Sequence, residues 1–201
     1  MKPVTVIVSL MLFVGVAQAQ PERIPPEEAQ KYAKLFVESA GKLDGPQIKM
    51  EVDTDKPYAF KAKKHGAMVL PDKKLSADVL AKAGKELVPL GQLWLVRMTL
   101  VAADQPTPAD KLRLVKVTVN NEDHQMPLLL LGVRKNAKDE LELVVYAKDK
   151  EPLLTVPLEK KEIQQELPLE LEAKKGDNNR AQILLNILGK YQATLIVAPQ
   201  E

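Results

Sequence analysis

Residues 91–103, GQLWLVRMTLVAA, constrain the chain more than any other stretch. Trp94, Val96, Met98, Leu100 and Ala102 fall on one phase of a two-residue alternation, and all are apolar. Leu93, Leu95 and Val101 take the other phase, interrupted by Arg97 and Thr99. Side chains of a strand point alternately to its two faces, so this pattern predicts a strand with one face fully buried and the other partly covered. Such a strand needs neighbours on both edges and a second layer over its apolar face. It carries the only tryptophan, which is expected in the core.

The sequence beyond this strand reads as almost wholly β. Leu112 and Leu114 share one phase and Val115, Val117 and Val119 the other, which predicts a bulge near Leu114. Residues 120–125, NNEDHQ, read as a polar loop, and residues 128–133 as a strand covered on both faces. Leu141, Leu143, Val145 and Ala147 alternate. Leu154, Val156 and Leu158 form a short strand whose neighbours Pro152 and Pro157 confine it to an edge. Leu167, Leu169, Leu171 and Ala173 face one way, with glutamates facing the other, toward water. Two strands around Gly189 close the chain. Short strands punctuated by turns predict an antiparallel β-sandwich, and no βαβ alternation is present. The closing strand, Gly189, Tyr191 and alternating strand resemble the final hairpin of immunoglobulin-like extracellular domains. That resemblance implies a fold type and no activity.

Upstream, the first nineteen residues read as a signal peptide. Lys2 precedes an apolar run over 4–17, too short for a membrane-spanning helix, and Ala17-Gln18-Ala19 fits a small-x-small cleavage pattern. The mature chain is expected to be secreted or periplasmic and to begin at Gln20. Residues 20–26 read as a proline-rich linker and residues 27–201 as a single domain. An amphipathic helix is expected over 27–43, with Ala29, Tyr32, Ala33, Phe36, Ala40 and Leu43 on one stripe. Residues 48–52 read as a strand, and Pro89-Leu90-Gly91 as the turn into the central one. Ser76 reads as the N-cap of one short inserted helix over 77–83.

Composition narrows the chemistry. No cysteine is present, so thiol catalysis and thiolate metal sites are ruled out. Lys+Arg number 29 against 27 Asp+Glu, a balance that does not steer toward nucleic acid. Past the signal segment the only serines are Ser39 and Ser76, and neither stands in a G-x-S-x-G elbow. The scattered glycines form no phosphate-cradling loop. Carboxylate pairs for glycoside hydrolysis leave no motif, and few aromatics remain to stack on sugar rings. Asp53-Thr54-Asp55 and residues 120–123 are oxygen-rich and could supply calcium ligands, but Asn and Asp also favour turns on their own account.

Thioethers and imidazoles make the last constellation. His65 and Met68 lie three apart, and His124 and Met126 two apart. Soft thioether and imidazole donors together suit Cu(I). The H-x-M element resembles one piece of the metal site of periplasmic copper chaperones with a cupredoxin-like sandwich, although their adjacent His-Met pair is absent here. By elimination, the leading expectation is an exported, non-enzymatic structural or protein-interaction module without a cofactor, its partner a protein or a cell-envelope component. The alternatives are a periplasmic Cu(I) protein using His65, Met68, His124 and Met126, and a carbohydrate-binding or carbohydrate-active domain.

Overall fold

The computed structural model describes residues 21–41 and 48–200. The expected signal peptide, and the stretch in which the first helix was expected to end at Leu43, lie outside them. In chain order the elements are β1 (Glu22–Arg23), α1 (Pro26–Ala40), β2 (Tyr58–Ala62), β3 (His65–Pro71), α2 (Ala77–Ala81), β4 (Val88–Val96), β5 (Met98–Ala102), β6 (Gln105–Pro106), β7 (Leu114–Val119) and β8 (Glu122–Lys135). They continue with β9 (Leu141–Tyr146), β10 (Leu154–Pro157), β11 (Glu159–Lys160), β12 (Leu169–Lys175), β13 (Ala181–Ile187) and β14 (Tyr191–Pro199). The protein is mainly β and holds two antiparallel sheets.

The first sheet runs β1-β2-β3-β4-β8-β9-β10, with β7 also paired to β8. The second runs β12-β13-β14-β5-β6, with β11 also on β14. β10, which ends in Pro157, is an edge strand. Between the sheets lies the larger core. Val69, Leu93, Leu95, Leu129, Leu131 and Val145 reach it from the first sheet, and Leu100, Leu171, Leu185 and Leu195 from the second. The other face of the first sheet is covered by α1, whose Ala29, Ala33 and Phe36 are buried against Met68, Leu70, Trp94, Leu128 and Leu130. Period two thus sends alternate residues of β8 into two different cores, which is why residues 128–133 are apolar throughout.

The stretch over 91–103 is not one strand. Arg97 takes a left-handed conformation, φ 54°, and separates β4 in the first sheet from β5 in the second. The extra residue reverses the phase, so Leu95 and Met98 enter the same inter-sheet core. Trp94 faces the opposite way, under α1, where its ring lies 5.2 Å from that of Phe36 and its Nε1–H donates to Gln92 Oε1 at 3.2 Å. Trp94 is therefore core, as expected, but it shares no face with Met98 and Leu100.

Other local expectations shift for identifiable reasons. Pro89-Leu90-Gly91 is not a turn: it lies inside β4, where the pairing with β8 slips between Pro89 and Gly91. Glu22 and Arg23, expected in a linker, add β1 to the sheet edge, and the Arg23 guanidinium lies 4.8 Å from the Tyr58 ring centroid. Residues 48–52 form no strand, and only Val52 bridges to Asp72. The segment is held by the buried Asp72 carboxylate, which accepts hydrogen bonds from Glu51 N at 2.9 Å and Lys74 N at 2.8 Å. No bulge occurs near Leu114; the pairing of β7 with β8 is continuous. Its two phases are the two faces of a strand between two cores. Residues 120–125 are mostly strand, because Asn120 and Asn121, both at positive φ, make a two-residue hairpin turn and β8 begins at Glu122.

Candidate functional site

Several chain reversals meet at one end of the two sheets. They are the Lys63 and Lys64 turn between β2 and β3, the Arg97 corner, the Asn120 and Asn121 hairpin, the loop over 176–180, and the end of β14. Loops carried on a rigid sheet scaffold are where binding groups concentrate. Three adjoining clefts open here, and His65 lines all of them.

The most polar of these three clefts encloses about 600 Å³ and is lined by Lys64, His65, Arg97, His124, Gln125 and Asn179, among others. His65 and Arg97 follow the last ladder pair of β3 and β4, Gly66 with Val96, so they sit side by side at the strand ends. His65 is half-buried. Burial, reinforced by the positive charges of Lys64 and Arg97, holds its imidazole below the ordinary value of 6.5. The neutral ring is the form that can accept a hydrogen bond or ligate a metal. His124 Nε2 lies 4.0 Å from the Glu122 carboxylate. Among the described residues the cleft's one carboxylate side chain is Asp123, which pairs with Lys116 at 2.7 Å and accepts from Thr118 Oγ1 at 2.7 Å. Those two partners hold its carboxyl below the usual range.

A second cleft, about 280 Å³, lies between α1 and the ends of β2 and β3. His65, Met68, His124 and Met126, the four residues singled out from the sequence, all line it. By register Met68 and Met126 share the helix-covered face with Trp94, and His124, two residues before Met126, lies on the same face. His65 is paired with Ala62 and takes the opposite phase, that of Ala67 and Val69. Met68 and Met126 belong to β3 and β8, which flank β4, so their backbones are about 10 Å apart across the sheet alone. Both methionines are buried with the second core. His124 and Met126, two apart on β8, share one face of that strand.

The oxygen-rich loops behave as turns. Asp53 accepts from Asp55 N at 3.1 Å and pairs with Lys56 at 3.3 Å. Among the described residues no three His, Cys, Asp or Glu side chains gather as metal ligands. The sequence reading passed over Lys64 and Arg97. The available signal was a single cation inside an otherwise apolar alternating run.

No family model, no curated protein and no solved structure matches this chain.

Proposed function

We propose that this is an exported, non-enzymatic interaction module that binds through the end of the sheets where His65 sits. The observation that carries the reading is the convergence of three clefts on that residue. Export is proposed from the apolar run and the small-x-small pattern before Gln20. The two sheets are read as an immunoglobulin-like sandwich, in keeping with the closing hairpin of β13 and β14 and the apolar core between the sheets. In sandwiches of that kind the loops gathered at one end form the recognition surface.

The test uses the length of β8. Its 14 residues span about 45 Å, from Glu122 at the cleft end to Lys135 at the other. Photo-crosslinking groups are placed at Gln125 and at Lys138 in cells exporting the protein. Adducts from Gln125 and none from Lys138 are expected; equal labelling from both ends would count against the reading.

A Cu(I) protein is the second reading, favoured by the cleft that His65, Met68, His124 and Met126 all line. His65 takes the opposite face from the other three, and in keeping with that, competition with a Cu(I) chelator is expected to show no one-to-one complex. One equivalent bound, and lost in His124→Ala, would replace the interaction reading with the copper one.

A further inference from the structure

We infer that the cleft beside Arg97 and Lys64 is an oxyanion site, built to take a carboxylate or phosphate group of a small ligand. The inference rests on the reading of this end as the binding end and gives that end its ligand chemistry.

The first observation is an imbalance of charge. Several cations of the chain pair with carboxylates, among them Lys61 with Glu22, Lys73 with Glu51, Lys111 with Asp149, Arg134 with Glu142 and Arg180 with Asp104. Among the described residues neither the Lys64 ammonium nor the Arg97 guanidinium has a carboxylate within 4.0 Å, and the two line the same cleft. Asp123, the carboxylate side chain among the cleft's described residues, pairs instead with Lys116 and Thr118.

The second observation is placement. Arg97 is not on a free loop. Its left-handed backbone, φ 54°, joins two sheets, and its carbonyl accepts from Gln200 N at 3.1 Å. Non-glycine residues take that conformation rarely, and it persists where surrounding structure imposes it. The fold therefore fixes the base of the arginine side chain at the cleft wall. A guanidinium offers a planar fork of donors that matches carboxylate and phosphate oxygens, and an ammonium adds a point charge. Gln125, Asn179 and Gln200 supply uncharged amide donors on the same wall. The His65 imidazole beside them is lowered first by burial and then by the charges of Lys64 and Arg97.

Isothermal titration of the purified protein with inorganic phosphate, and separately with succinate, tests the site. Saturable binding of at least one probe is expected, weakened tenfold or more in both Arg97→Gln and Lys64→Gln. Lys138→Gln, at the far end, should bind as the parent does. The two arms separate the sources: phosphate alone indicates a phosphate-bearing ligand, succinate alone a carboxylate. Lys64→Gln keeps the test decisive if Arg97→Gln proves unstable, because Lys64 lies on a solvent-exposed turn. No saturable binding of either probe, or equal binding by all variants, overturns the anion site. Such a result together with crosslinks at Gln125 would overturn the ligand chemistry and leave the binding end intact. Loss of both would sink both.

Discussion

Two side chains test the account at the scale of single residues. Trp94 has no exposed surface and fills the space between the first sheet and α1 against Phe36. Trp94→Ala removes the transfer term and leaves a cavity, so a loss of about 3–5 kcal/mol is expected in denaturant melts. A loss under about 1 kcal/mol would mean that the layer under α1 contributes little. His65 gives the acid dependence. Its folded-state imidazole titrates below 6.5 because burial, with Lys64 and Arg97 beside it, disfavours the charged form. Below pH 6.5 the unfolded chain takes up a proton that the folded chain resists. Stability contributed by this residue is therefore full above 6.5 and falls as the pH drops toward the folded value. His65→Gln should flatten that part of the stability profile; an unchanged slope would contradict the assignment.

The sharpest case among the elements is the slip inside β4. Gly91 has φ 156°, and a Cβ there would stand 2.1 Å from the Leu70 carbonyl oxygen on the neighbouring β3. No rotamer relieves contact with backbone. Gly91→Ala should cost about 1–3 kcal/mol or more by overpacking, and an unaltered thermal midpoint would show that the two strands can part freely. The same element shows what sequence discloses and what it hides. Continuous apolarity identified Leu128 and Leu130 as buried, and the amphipathic stripe identified Ala29, Ala33 and Phe36, because burial follows directly from local pattern. Leu93 and Leu95, expected on the partly covered face, are fully buried. The break at Arg97 was invisible, since an apolar alternation reads the same whether the strand stays in one sheet or passes to another. The cleft shared by His65, Met68, His124 and Met126 was legible as chemistry alone. Which face each residue took depended on pairings made far away in sequence.

For the molecule as a whole, export is the claim that a mass measurement decides. The exported form should begin at Gln20, unmodified or cyclised, with residues 4–17 removed. A mature chain that keeps them would refute cleavage and make the first segment an anchor.

The corner at Arg97 also sets an order of assembly. β4 sits inside the first sheet with β3 and β8, whereas β5, one residue later, pairs with β14, almost half the chain away. A chain emerging N-terminus first can complete the first sheet while β5 has no β14 to pair with. Contacts so distant in sequence form late, because loop closure must precede any gain from pairing. Until the last strand emerges, β5 offers its unpaired backbone to any neighbouring chain. Removing β14 should therefore yield a protein with its first sheet built and a strong tendency to self-associate, and Arg97 is the hinge on which that risk turns.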